Sequence, residues 1–339
     1  MLTGTRLVIP SPYQVTVEEY DVMPPEAGQL LIENEASAIS AGTELSIYTG
    51  VHQHLNDPTR AWPKFPFIPG YSGVGRVMAV GQGVSGYEVG ERVIYPSRHE
   101  SHGIVDLGHR ESVLPIAKSV PAEIAAFAML TRFPLTSVVQ SGQVLGQAVV
   151  VVGLGMIGQL ALRLFAAAGA YPIIGVDPVQ QRRSTAERIP CVVTVDPSVV
   201  DPVQFVPELN HGALPDIVVD ATGVPDVIMS AMSLVADGGK VILLGSPRGK
   251  SSEVDFYRDL HARSIQLIGA HGSALGLDPR ERLPFILHRG LRLLVHFFES
   301  RRLVIEDLIT HVVPYSQGAQ AYEGLLKDRD NYVAVAFHP

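Results

Sequence analysis

The chain has a single cysteine, Cys191, among its 339 residues. That excludes an internal disulfide and any zinc site built on two or more thiolates. Set in the apolar run IPCVVTV, Cys191 reads as a small buried residue and not as a nucleophile. Charge is scarce too: 18% of residues are charged, the formal net charge is −8, and there is no basic block. Nucleic acid and anionic membrane surfaces are thereby set aside as partners. No apolar run reaches the roughly 18 residues of a membrane span, and MLTGTRLVIPSPYQ lacks a basic region followed by an apolar one. A cytoplasmic location is the expectation.

What is plentiful is apolar: 46% of residues are hydrophobic, which in a chain of this length predicts two cores. Residues 1 to about 120 hold short β-type runs (TRLVIP, YQVTVEEY, QLLIENEASAI, SGVGRVMAVG, ERVIYP) parted by Gly and Pro turns. They predict a compact barrel-like β domain with no helical period before Pro121. SVPAEIAAFAMLTRFPLTSVVQSG then reads as helical, and strands alternate with helices through CVVTVD, DIVVDATG, KVILLGSP and IQLIGAHG, the pattern of a parallel sheet. Next come a helical stretch, RERLPFILHRGLRLLVHFFESRRL, and two β runs, LITHVVPY and YVAVAFHP, around the helix SQGAQAYEGLLKD. The expected division is a β domain over 1–122, a doubly wound domain over 123–270, and a return to the first domain over 271–339. A ligand cleft is expected between them.

The sharpest motif lies at Gln147 to Asp177. An apolar run, Ala148 to Val152, ends in Gly153-Leu154-Gly155-Met156-Ile157-Gly158, and an amphipathic helix follows, closed by Gly169. A second apolar strand delivers Asp177. Gly153 permits the tight turn, Gly155 lets the backbone approach a pyrophosphate, and Gly158 lets helix and strand pack closely. The N–H groups at the helix start, at Met156 and Ile157, would face the diphosphate. An acid about 20 residues on accepts from both ribose hydroxyls and repels a 2′-phosphate, so NAD is the expected cofactor. Arg182 and Arg183 leave NADP open, because a cation beside the ribose can hold that phosphate. Ala221 and Gly245, after the next two strands, complete the expected cofactor set with Arg182.

Taken together, ASAISAGTELSIYTG, PFIPGYSGVGRVMAVGQGVSGYEVGERV, VVVVGLGMIG with Asp177, VVDATG, GGKVILLG and LITHVVPYSQGAQAYEGL resemble the medium-chain dehydrogenase/reductase superfamily. The resemblance spans essentially the whole chain and is to the zinc alcohol and polyol dehydrogenases. It implies an α/β fold, with a discontinuous GroES-like β-rich catalytic domain and a Rossmann doubly wound parallel sheet. It also implies a homodimer, since the family's last Rossmann strands pair across a twofold axis and Ser264 to Gly269 is an apolar edge.

The catalytic motifs depart from that family. Where the zinc enzymes read Cys-Gly-(Ser/Thr)-Asp the chain has Ala41-Gly42-Thr43-Glu44, and where they read Gly-His-Glu it has Gly70-Tyr71-Ser72. The segment that usually supplies the third ligand, AAFAMLTRFPLTSVVQSG, has no Cys, His, Asp or Glu, and the structural zinc lobe has no counterpart. No metal is expected. By position Thr43 matches the family's proton-relay hydroxyl, and Tyr71 puts a phenol where a ligand imidazole would stand; either could hydrogen-bond a reacting oxygen. Each could instead be structural, Thr43 as a turn hydroxyl and Tyr71 as a filler. His99 and His54 are the candidate bases, and Arg98, Glu100 and His102 the candidate substrate contacts in a polar wall, SRHESH.

The expected function is a zinc-independent, NAD-dependent oxidoreductase. It would act on a secondary alcohol or ketone of a polar small molecule such as a sugar or cyclitol. A bacteriochlorophyllide-type ring substrate ranks lower. An NAD(P)H-dependent enone or quinone reductase and a non-catalytic cofactor-binding scaffold stand as alternatives.

Overall fold

A computed structural model describes residues 2–108, 112–251, 254–272 and 287–339. The chain divides into two compact units, Met1–Leu130 with Leu277–Pro339, and Thr131–Gly276.

The first unit begins with β1 (Leu2–Val8) and β2 (Thr16–Val22), an antiparallel pair. Then come β3 (Gln29–Ala38), α1 (Ala41–Tyr48), β4 (Gly73–Val80), β5 (Arg92–Tyr95), β6 (His102–Asp106) and β7 (Leu114–Pro115). Helices α2 (Ala122–Ala125) and α3 (Ala128–Ser141) follow. Because α2 packs on β3 and β4, burying Ile124 and Ala125, the division falls at Leu130 and not at 122.

The second unit contains β8 (Val149–Val152), α4 (Met156–Ala167), β9 (Ile173–Val176), α5 (Gln180–Ala186), β10 (Val192–Val195), α6 (Pro202–Leu209), β11 (Ile217–Asp220), α7 (Pro225–Leu234), β12 (Lys240–Leu243) and β13 (Gln266–Gly269). The strands are all parallel, in the order β10-β9-β8-β11-β12-β13. Alternation along each strand explains the apolar runs. Val149, Val151, Ile173 and Ile217 pack with Ala161, Leu162 and Phe165 of α4, while Val150, Ile174 and Val218 pack with Ala231, Met232 and Leu234 of α7. Both faces are covered, so both parities must be apolar.

The chain then adds α8 (Leu287–Glu299), β14 (Ile309–Pro314), α9 (Gly318–Lys327) and β15 (Ala334–His338). Strand β15 pairs antiparallel with β3, Phe337 opposite Ser37, giving a sheet in the order β14-β15-β3-β4-β5-β7 with β6 also on β3. The expected helix from Arg280 onward is seen from Leu287; residues 280–286 lie outside the described residues. Among the described residues no helix is long and apolar enough to cross a membrane.

Two expectations are corrected. A helix does precede Pro121: α1 was hidden because it has eight residues, includes Gly42, and buries the polar Glu44 and Ser46 alongside Ile47 and Tyr48, so no apolar stripe marks it. Cys191 is exposed, at φ +69° in the turn entering β10; the strand that starts one residue later buries Val192 and Val195 but leaves Val193 42% exposed.

Candidate active site

The candidate cofactor site of the second unit is built from backbone. In the second unit the strand order reverses between β8 and β11, the place where open α/β sheets bind ligands outside their carboxyl ends. Gly153 leaves β8 at φ +91°, and a Cβ on Gly158 would stand 1.8 Å from the Gly153 carbonyl oxygen, so only glycine lets α4 start there. A Cβ on Gly155 would meet nothing within 4 Å: the side facing out is open, as a diphosphate requires. Gly155 is also the N-cap of α4 and supplies no side-chain cap, which leaves the first-turn N–H groups of Met156 and Ile157 to an anion. Gly169 closes the helix at φ +86°.

Asp177 follows β9, only 3% exposed. Its Oδ2 accepts from Leu154 N at 2.7 Å and its Oδ1 from Val179 N at 2.8 Å, which fixes the carboxylate against the glycine turn. Arg182 Nη1 lies 3.6 Å from Asp177 Oδ2, and Arg183 donates from Nη1 to the Asp177 carbonyl at 2.8 Å while its Nη2 pairs with Asp196 at 2.8 Å. Ala221 and Gly245 converge: a Cβ on Gly245 would meet Gly223 N at 2.4 Å and the Ala221 carbonyl carbon at 2.8 Å. One residue here escaped the sequence reading. Asp220, buried at the end of β11, accepts from Thr222 N, the Thr222 hydroxyl and Gly223 N, and ties down the turn that carries Ala221. Burial raises its pKa, and the bonds from Thr222 and Gly223 oppose the rise.

The first unit carries its own cluster of candidate side chains. Tyr71 donates its phenol proton to Ser40 Oγ. Ser40 is the N-cap of α1, so Tyr71 reaches the start of the helix whose first turn holds Thr43. Thr43 is partly exposed, and its carbonyl accepts from Ser46 Oγ at 2.6 Å. Ser72, the next residue after Tyr71, is buried and donates to Ala126 O.

His99 departs from expectation. It is fully buried, with Nε2 3.0 Å from Glu44 Oε2, Nδ1 2.8 Å from Ser37 Oγ, and Phe337 edge-on at 4.9 Å. With both nitrogens engaged and no surface, it does not present a base to a substrate. The SRHESH wall is corrected likewise. Ser97, His99 and Ser101 point inward and Arg98 outward, because the segment is extended and its inward polar atoms are all bonded. Glu100 is half-buried; burial raises its pKa, while Arg98 and Arg6 pull it down. His102 begins β6, with its pKa lowered by burial and Nδ1 2.9 Å from Ser101 Oγ. His54 lies in the loop after α1, its ring 5.5 Å from His52, which abuts Trp62 at 5.2 Å.

The family model described as "Alcohol dehydrogenase GroES-like domain" matches residues 26–140, and the one described as "Zinc-binding dehydrogenase" matches 156–287. The chain belongs to the medium-chain dehydrogenase/reductase superfamily. L-threonine 3-dehydrogenase of Thermococcus kodakarensis is 28% identical over 78% of this chain and 81% of its own length. The 2-desacetyl-2-hydroxyethyl bacteriochlorophyllide A dehydrogenase of Cereibacter sphaeroides is 25% identical over 96% and 95%. Among solved structures, 2R,3R-butanediol dehydrogenase from Bacillus subtilis superposes with a TM-score of 0.84 at 20% identity, covering 99% of both chains. As a member of this superfamily the chain is an alcohol dehydrogenase-like oxidoreductase that uses a nicotinamide cofactor. These relatives do not favour the enone reductase or scaffold alternatives.

The superfamily's zinc is a separate matter. Ala41 and Tyr71 offer no imidazole or thiolate, and among the described residues no group of three or more His, Cys, Asp or Glu side chains converges to hold a metal. Among the described residues, the side chains at these positions do not make up a zinc ligand set.

Proposed function

We propose that the protein is a zinc-independent, NAD-dependent dehydrogenase acting on a secondary alcohol of a polar small molecule. The observation that carries this reading is the Tyr71–Ser40 hydroxyl pair, at the position where the zinc enzymes keep a ligand imidazole. A nicotinamide cofactor held at the Gly153–Gly158 turn and Asp177 would supply hydride acceptance from a carbinol carbon, which would leave the hydroxyl proton for the protein to accept. Tyr71 holds the reacting oxygen and exchanges that proton. The Ser40 hydroxyl accepts from the neutral phenol, and by rotating its own O–H it donates to the phenolate, so the pair serves either direction of the reaction. Thr43 stands by as a second hydroxyl on the same helical turn. Asp177 supports NAD over NADP, since a carboxylate already held by two backbone amides cannot swing aside for a phosphate.

L-threonine and butanediol, named for two of the relatives, both carry secondary hydroxyls, and this favours a small polar substrate. Relationship to the bacteriochlorophyllide enzyme over nearly the whole chain keeps a hydroxyethyl side chain on a large ring as the second reading. We also infer a homodimer formed through β13, whose Leu267 is 44% exposed.

The test is elemental analysis with a turnover assay before and after chelation, using L-threonine, 2R,3R-butanediol and the hydroxyethyl ring compound with NAD and NADP. Turnover with NAD that ignores the chelator is expected. Stoichiometric zinc, or activity lost to the chelator and regained with zinc, would remove the zinc-free reading.

A further inference from the structure

His99 holds two segments at once. Its backbone N–H donates to Pro69 O at 2.9 Å, and Pro69 runs directly into Gly70-Tyr71. Gly70 lies flat on the His99 backbone at φ +99°, where a Cβ would come 2.6 Å from the His99 nitrogen. The ring reaches the other way, Nε2 to Glu44 at 3.0 Å, and Glu44 Oε1 accepts from the Ser40 backbone N–H at 2.8 Å. The Ser40 hydroxyl in turn receives the Tyr71 phenol. The contacts close into a ring that runs from the His99 backbone through Pro69, Tyr71, Ser40 and Glu44 to the His99 imidazole.

Burying a carboxylate is costly unless every lone pair in use has a donor. Glu44, 1% exposed, has three: Ser40 N–H, the His99 ring, and the Tyr322 hydroxyl of α9. Ser37 Oγ holds the far side of the imidazole at 2.8 Å. If this cluster were a staple between α1 and the sheet, apolar packing would serve at least as well. What apolar packing cannot do is fix the direction of an amide and, through it, of a hydroxyl.

We propose that Glu44 and His99 are positioning residues of the reaction centre, and that they set the Ser40 hydroxyl against Tyr71 so that the pair works as one acid/base unit. This rests on the reading of Tyr71 as the proton-exchanging group. The Ser40 arm passes through the His99 ring and the Tyr71 arm through its backbone, so side-chain variants at 99 loosen only the first, whereas Gly70→Ala strains only the second.

The test uses the full chain saturated with NAD and labelled with 3-fluorotyrosine, the Tyr71 signal being assigned by its loss in Tyr71→Phe. In Ser40→Ala the phenolate loses a donor, so the titration midpoint of Tyr71 should rise by about one to two pH units. Glu44→Ala and His99→Ala should reproduce the rise and lower kcat for L-threonine or 2R,3R-butanediol about a hundredfold with KM unchanged. Glu44→Gln, which keeps an oxygen for the Ser40 amide, should recover most of both. Should the alanine variants fail to fold, Glu44→Asp draws the carboxylate back by one methylene and should shift the midpoint in the same direction. If the Tyr71 signal stays unchanged in folded Glu44 and His99 variants while Tyr71→Phe loses turnover, the positioning role is wrong and the reading of Tyr71 stands. If the signal follows Ser40, Glu44 and His99 but Tyr71→Phe keeps its turnover, the ring is real and the reading of Tyr71 as the acid/base group falls.

Discussion

The two units make their functional surfaces by opposite means. In the Rossmann unit the cradle is backbone: Gly153, Gly155 and Gly158 matter for what they lack, and the anion site is a row of N–H groups. In the β-rich unit the centre is a ring of side chains, Tyr71, Ser40, Glu44 and His99, with Ser37 and Tyr322 bonded to its outer members. A backbone site tolerates almost any side chain that keeps its shape and almost no added atom; a side-chain site should behave the other way round.

Four experiments press on that contrast. Tyr71→Phe removes one oxygen from the side-chain centre and should lower turnover about 10²–10⁴-fold, with NAD affinity by calorimetry intact. Gly158→Ala adds one carbon to the backbone site, 1.8 Å from the Gly153 carbonyl oxygen, and should cost about 3 kcal/mol in denaturant unfolding together with NAD binding. Normal stability in that variant would mean that α4 can shift, and the contrast would blur. Asp177→Ala removes the carboxylate expected to take the ribose hydroxyls and should weaken NAD about ten- to a hundredfold, narrowing the gap to NADP. A wild type that binds NADP more tightly than NAD would contradict the ribose role.

The smallest effect concerns Glu100. Burial raises its pKa, so the folded chain holds this proton more tightly than the unfolded chain does. Its contribution is therefore present in acid and lost as pH rises through the carboxylate range. Glu100→Gln should melt slightly higher than wild type near neutral pH, by no more than about 2 °C, and the advantage should vanish at low pH. A variant that melts lower at neutral pH would show that Glu100 is held ionised by Arg98 and Arg6.

The same contrast explains what could be read in advance. The parallel sheet was legible because residues on both faces of each strand must be apolar, and the cradle because backbone geometry demands glycine at fixed spacing. Asp177 was legible for the same reason. The side-chain ring was not, because its members are scattered from Ser37 to Tyr322 and no spacing rule connects them. The inward polar alternation of Ser97, His99 and Ser101 is a strand period written in residues that usually mark a solvated loop, and it suggested a wall where there is an interior. One local signal did exist. Ser40 and Glu44 bond across the start of α1, one residue wider than the Ser-x-x-Glu box that announces a helix.

Tyr322, which completes the coordination of Glu44, lies 278 residues further along the chain, and Phe337, against the His99 ring, lies further still. Translation therefore finishes every strand of the Rossmann sheet before the ribosome has made the residues that close the reaction centre. During synthesis every residue of the glycine cradle is therefore made before Tyr322 and Phe337, the last partners of the proposed reaction centre, and before the last strand, β15, can add to β3.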